Sequence, residues 1–430
     1  MRRALRLIGG IGLLGMSPLL VSLATFLSVP IILGVLGPEI WLAIAVGQAI
    51  GELSRVVVIW GWNSIGLTVV AAKTTPERVR YYLDSIAPRL ILLVPVSAIA
   101  IVVSIFMPVV DQERTALMAL VGAVYGMNAA WAFIGGREPL SYLLWDAAPR
   151  AGSILIASLA LLIIPSAALY GWINLVGSVV AVGVPALIFV RRAKKLEVPI
   201  RWQPWSDVMA SLIRGAPAFG SGFVMVLRLS FAVVAAPIIS PVAGVAVALG
   251  DKFLRWSNTG MTPLMQAMQV RIPRGSQPLP FRLRRGLVIA WIVGPAIGTV
   301  VAATLPWASS LLSHGQIALG FDIAIPVGIA ISLVFIAGIT GNSALVLLGR
   351  VRSVFHGAVL ALVVLSASFV PLTLTFGASG SFWALALSET TVTVYQFIVV
   401  RTALRTRRRQ EESGRHPVVI TSHPERQATS

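Results

Sequence analysis

Residues 240–274 read SPVAGVAVALGDKFLRWSNTGMTPLMQAMQVRIPR. The segment is apolar from Val242 to Leu249, and then Asp251, Lys252 and Arg255 stand where a membrane-crossing helix should hold only hydrocarbon. At helical spacing Asp251, Arg255, Asn258, Thr262, Gln266 and Gln269 follow at intervals of 4, 3, 4, 4 and 3, which lays them along one face. The other faces are Phe, Leu, Trp, Met, Val and Ala. About 28 residues at ~1.5 Å each make roughly 42 Å, enough to cross a bilayer, with Arg255 near the middle. A charge at that depth costs about 2.5–3.5 kcal/mol on insertion scales, so this stripe is not stable against lipid. It must face other helices or water. Asp251 and Arg255 offset part of each other as an i,i+4 pair, while Lys252 needs a partner from another part of the chain.

Composition extends this reading to the whole chain. Of 430 residues 57% are hydrophobic and 12% charged, with a mean hydropathy of +0.87, which describes a polytopic membrane protein. The absence of cysteine removes disulfides, thiolate metal sites and cysteine nucleophiles. A net charge of +18 in a soluble protein would point to nucleic acid; the placement of the charges here points elsewhere, and no nucleic-acid partner is expected.

Read outward from residues 240–274, the hydrophobic runs predict an all-α fold of twelve transmembrane helices in two six-helix lobes around a central cavity. The basic start Arg2-Arg3 leads into an apolar run too long for a signal peptide and without an A-x-A site, so an uncleaved first helix is expected. The expected divisions are residues 1–190 for the first lobe, 191–214 for a connecting segment, 215–400 for the second lobe and 401–430 for a disordered basic tail. Of 34 Lys and Arg residues only Arg55, Arg228, Lys252 and Arg255 fall within spans and Arg114 in an outer turn. The rest collect in loops and termini on one side, which by the positive-inside rule is the cytoplasm, in a bacterial inner membrane, with both termini there. Arg89 is placed in one such loop and Arg150 in another.

The second span repeats the eighth. Pro38 and Pro241, Gly47 and Gly250, and Glu52 and Arg255 are each 203 residues apart, and the same offset puts Gln48 on Asp251, Arg55 on Asn258 and Asn63 on Gln266. Such duplication builds many transporters, with the substrate path between the halves.

Two readings of the intramembrane charges stand side by side. In one, Glu52, Arg55, Arg228, Asp251, Lys252 and Glu389 pair off as interhelical ties. In the other, Arg55, Arg228, Lys252 and Arg255 form the cationic wall of a water-filled cavity suited to phosphate or pyrophosphate, because arginine forks bind such groups bidentately. Glu52, Asp251 and Glu389 are then candidate coupling acids for H+ or Na+, and Gln48, Asn63, Asn258, Thr262, Gln266 and Gln269 the cavity's polar stripe. Trp131 and Phe133 could stack on sugar rings or serve as interfacial anchors, and Trp202 and Trp205 mark an interfacial segment. The four histidines show no ligand spacing, so no metal is expected. No G-x-x-x-x-G-K-[ST] occurs, which excludes ATP use of the P-loop kind.

Three stretches resemble the polysaccharide-biosynthesis flippases, the O-antigen type of lipid-linked oligosaccharide exporter in the multidrug, oligosaccharidyl-lipid and polysaccharide (MOP) superfamily. They are Ser28-Val29-Pro30 with Leu36-Gly37-Pro38-Glu39; Asn128 to Gly135 followed by Tyr142 and Arg150; and Asp251-Lys252, Arg255, Pro263, Gln266-Ala267 and Pro273-Arg274. Ile134 departs from that family's usual Gln, and Phe231-Ala232 from its acid–base pair. The resemblance implies a non-enzymatic, cofactor-free carrier that moves an undecaprenyl-pyrophosphate-linked oligosaccharide between leaflets by alternating access, among membrane lipids and alongside other polysaccharide-assembly proteins. A multidrug and toxin extrusion type antiporter is the second reading and a membrane glycan polymerase or ligase the third. The antiporter would want acids in its cavity, and the polymerase a large outer loop.

Overall fold

The computed structural model describes residues 2–274 and 278–412, and among these every regular element is a helix. Eight of the helices are long and apolar enough to cross a membrane. Two of those are hairpins. Helix α1 (Arg2–Ile59) breaks at Gly37, whose φ of 80° is open to glycine at little cost, so residues on either side form two arms with Pro38 opening the second.

The second arm of α1 continues through a π-turn (Trp62–Gly66) into α2 (Leu67–Ala72). After it come α3 (Thr75–Asp84), α4 (Ile86–Ile105), α5 (Gln112–Tyr125), α6 (Ala130–Gly135) and α7 (Pro139–Tyr142). A second π-turn (Leu143–Ala147) joins α7 to α8 (Ala148–Leu161), and α9 (Ala167–Lys195) closes the first half. The second half holds α10 (Trp205–Ile239), α11 (Pro241–Arg274), α12 (Leu279–Leu312), α13 (Phe321–Ile339) with a third π-turn (Thr340–Leu345), and α14 (Val351–Glu412). Helix α14 is the other hairpin, broken at Gly377 with φ 60°. Counting each hairpin as two, with α5–α6 as one interrupted segment and α7–α8 as another, twelve segments run side by side in two lobes of six.

Packing within each lobe depends on small residues. Gly47 and Gly51 lie one turn apart on α1 and receive α5 at Thr115 and Gly122, where no side chain fits between the backbones. In the second lobe Gly298 of α12 meets Gly328 of α13 in the same way. Outside this core the surface carries a belt of exposed apolar groups such as Val94 and Ile163, which suits lipid contact.

Several expectations change. The basic stretch 73–89, read as a loop, folds as α3 behind a capping box in which the Thr74 N–H and hydroxyl donate to Glu77 Oε2 (2.8 and 2.7 Å), and runs on into α4. Residues 191–195 extend α9 instead of joining the connector, since basic residues suit a helix C-terminus. The tail stays helical to Glu412 because its Arg, Leu and Gln residues are good helix formers; residues 413–430 lie outside those described. The helical path is interrupted at residues 126–129 between α5 and α6, where the Asn128 side chain accepts from the Ala130 N–H.

Candidate functional site

A cavity of about 690 Å³ opens between the two lobes. Along α11 it is lined by Asp251 to Met261, and along the first arm of α1 by Ser17 to Thr25, so it starts roughly ten residues, or ~15 Å, below the end where Gly37 and Gly377 lie. Trp41, Leu42, Val46, Val247 and Ala248, all buried, fill the space above it. His314, in the α12–α13 loop, seals that end across the lobes: its Nε2 sits 3.2 Å from the Pro30 carbonyl and its ring lies against Gly34. In the other direction the lining continues to Asn63, Leu67, Trp131 and Ile134. The chamber therefore extends toward the end carrying the basic loops.

Four carboxylates and four cations line it: Glu52, Asp146, Asp251 and Glu389, with Arg55, Arg150, Lys252 and Arg255. The expectation of a cationic wall is corrected to a balanced one. Arg55 donates to Glu52 Oε2 from Nε and Nη2 (2.9 and 2.6 Å), one helical turn away. Arg255 Nε donates to Asp251 Oδ2 at 2.6 Å, also one turn away, and its Nη2 reaches the Leu229 carbonyl of α10 at 3.4 Å. Arg228 is not part of the lining; it stands behind the wall and donates to Glu389 Oε1 at 2.5 Å, tying α10 to α14. These three arginines are neutralised where they sit.

Two cations are not. Lys252 is 8% exposed, and its Nζ donates to a neutral amide, Gln48 Oε1, at 2.6 Å across the lobe interface, with the Trp41 ring 5.5 Å away. Since Gln48 and Asp251 are related by the 203-residue offset, the cognate helices of the two halves meet here, as expected near a twofold relation. Arg150 holds its guanidinium 3.7 Å from the centre of the Tyr125 ring and forms no salt bridge among the described residues. Beside it the Tyr125 hydroxyl donates to Asp146 Oδ1 at 2.7 Å, leaving Asp146 Oδ2 buried without a hydrogen-bond partner.

Arg150, expected in a loop, and Asp146, not among the expected site residues, both reach the chamber. The signal was present: Tyr142, Asp146 and Arg150 recur every four residues, and all three line the cavity from α7, its π-turn and α8. Asn63 likewise lies on a π-turn, a feature common at functional sites. Gln48 and Asn258 line the chamber as expected. Thr262, Gln266 and Gln269 do not, because the lining along α11 ends at Met261 and the rest of the stripe emerges onto the surface, where Thr262 and Gln266 are exposed.

Trp131 borders the cavity, whereas Phe133, two residues on, points away. Phe133 is fully buried against Phe189 of α9 (ring centres 5.5 Å apart), so the sugar-contact expectation is withdrawn for it. Arg89, read as a loop residue, is fully buried. Its guanidinium donates to the Ser85, Met127 and Asn128 carbonyls (2.9, 3.0 and 2.9 Å) and pins the α5–α6 break to α4.

By sequence no protein family and no curated protein matches the chain. By structure it is similar to a multidrug resistance MATE family transporter of the MOP superfamily in an inward-facing conformation, with a TM-score of 0.63 and 14% identity over 90% of this chain and 96% of that one. It is also similar to the eukaryotic MATE transporter AtDTX14, with a TM-score of 0.57 and 12% identity over 94% and 99% of the two chains. The lipid II flippase MurJ, in an inward closed conformation, gives a TM-score of 0.54 at 12% identity over 89% and 87%. At such identities the likeness is one of fold. The chain thus shares the all-helical, two-lobed fold of these solved structures.

Proposed function

We propose that this protein is a flippase that carries a polyprenyl-phosphate- or pyrophosphate-linked oligosaccharide from the inner to the outer leaflet by alternating access, for cell-surface polysaccharide assembly. The observation that supports it most is the pair of cations that form no salt bridge among the described residues, Lys252 and Arg150, facing one chamber from opposite lobes. A mid-membrane cation not held in a salt bridge is costly, and an incoming phosphate would give both a direct partner. Arg55 and Arg255 stay held by their carboxylates, which leaves Lys252, Arg150 and the carboxylate of Asp146 as the lining charges outside salt bridges. Trp131 at the border would take a sugar ring, and residues 1–190 and 215–400 would be the bodies that rock, closing on a bacterial inner-membrane substrate from the cytoplasmic side.

The four lining carboxylates favour one competing reading, an antiporter of organic cations driven by H+ or Na+. Glu52, Asp146, Asp251 and Glu389 are the candidate coupling acids in either case. A single assay separates the two. Full-length protein in proteoliposomes is given a fluorescent polyprenyl-pyrophosphate disaccharide, and the fraction protected from an impermeant quencher is followed over time. Protein-dependent loss of protection, abolished in Lys252→Met, is expected. Efflux of tetraphenylphosphonium with no movement of the labelled lipid would instead establish the antiporter.

A further inference from the structure

A second, smaller hollow of about 540 Å³ lies on the outside of the second lobe, between α12 and the second arm of α14. It shares no residue with the central chamber. Helix α12 packs chiefly on α13, which leaves this seam open along its length. Val288, Trp291 and Ile292 form one wall and Phe397 part of the other, and Arg284 and Arg401 stand at the mouth. On each helix these groups recur at three- and four-residue steps, so each presents one apolar face ending in one arginine.

Neither arginine forms an ion pair or hydrogen bond among the described residues, and no acidic side chain lines the hollow. Their neighbour Arg282 behaves differently, turning inward to donate to the Ile272 carbonyl at 2.8 Å. Depth along α12 is set by its tryptophans. Trp291 and Trp307 are both exposed, and sixteen residues between them correspond to about 24 Å, the separation of two interfacial belts. Arg284 lies seven residues beyond Trp291, about 10 Å further out, at headgroup level. Arg401 ends the apolar arm that starts at Gly377, about 36 Å away, and reaches the same level.

We infer that this seam is a binding site for one anionic phospholipid of the leaflet at the basic end, its phosphate held between Arg284 and Arg401 and an acyl chain laid along Trp291 and Phe397. Two unpaired guanidinium groups at headgroup depth complement a phosphate, and the apolar walls below them complement a chain rather than a soluble anion. The site stands independently of what the central chamber carries.

Native mass spectrometry of the delipidated full-length protein, titrated with phosphatidylglycerol and separately with phosphatidylcholine, tests it. One phosphatidylglycerol should bind in preference to phosphatidylcholine. Arg284→Gln with Arg401→Gln should weaken that binding by about 30-fold, from two basic groups each worth roughly fivefold, while the paired Lys variants keep most of it. Because both side chains are exposed, folding of the variants is not at issue and is checked by their unchanged melting temperature. Equal binding of the two lipids, or unaltered phosphatidylglycerol binding in the double Gln variant, overturns the inference. So does displacement of phosphatidylglycerol by equimolar polyprenyl phosphate, which would make the seam a station for a polyprenyl carrier.

Discussion

The second arm of α1 and helix α11 are built on one pattern and use it differently. Each begins at a proline, carries a glycine nine residues later, and sets an acid and an arginine one helical turn apart on the face it turns to the chamber. In α1 the acid–arginine pair, Glu52 and Arg55, is the whole of the charge that lines the chamber. In α11 Lys252 is added next to Asp251 without a salt bridge of its own among the described residues, and the first lobe's counterpart comes from α8 as Arg150. The acid–arginine pairs, which stand at different positions of the repeat, thus behave as ties that keep a polar wall inside a membrane, while the two cations outside salt bridges are the ones free to meet a ligand.

The largest effect expected from this contrast is at Lys252. Lys252→Met should cut transport by more than 100-fold in the proteoliposome assay while the melting temperature moves by only a few degrees, because the neutral side chain no longer needs a counter-ion. Lys252→Arg should recover part of the rate. Transport equal to wild type in the Met variant would erase the distinction between ties and free cations.

Next come the ties themselves. Asp251→Asn strands Arg255 and should cost about 2 kcal/mol in thermal unfolding, below the 3–5 kcal/mol of a fully buried pair because both groups line an open chamber. Asp251→Asn combined with Arg255→Gln should return most of that stability. The same cycle at Glu52 and Arg55, both more open to the chamber than Asp251, should show a coupling of about 1 kcal/mol. Equal couplings would mean the two faces are not different environments.

Packing supplies a smaller sharpening. Gly122→Val places a branched side chain against the Gly51 backbone and should lower stability by roughly 1–3 kcal/mol, measured by thermal unfolding, without changing which ligand binds. Least affected is Trp202, 73% exposed at the basic end, whose change to Ala should stay within about 0.5 kcal/mol.

Much of the architecture could be read from residues alone, since hydrophobic runs, basic loops and the 203-residue offset each constrain the same twelve segments. The hairpin at Gly37 was legible through Leu36-Gly37-Pro38. What periodicity could not supply was the folding of residues 137–150, where Arg137, Glu138 and Arg150 read as a charged elbow. In the fold, Glu138 is neutralised by Arg192 of α9 at 2.8 and 2.7 Å, which lets the following residues re-enter as helix and carry Asp146 and Arg150 to the chamber. The partner is 54 residues away, so no local window reveals it. Arg228 follows the tie reading and not the cationic-wall one: its neutralising acid, Glu389, is 161 residues distant, and the pair removes Arg228 from the chamber's positive charge. Helical spacing puts the α11 stripe on one face, but a sequence cannot say at which turn a helix leaves its neighbours.

The most direct test is equilibrium binding of a short-chain polyprenyl-pyrophosphate disaccharide to the full-length protein in detergent, compared with its Lys252→Met/Arg150→Met double variant. Binding weakened at least 100-fold in that variant, with the Asp251→Asn/Arg255→Gln protein holding the ligand within a few fold of wild type, is the result predicted. The reverse pattern, an indifferent double Met variant and a crippled Asp251/Arg255 variant, would put recognition in the paired groups and contradict the account.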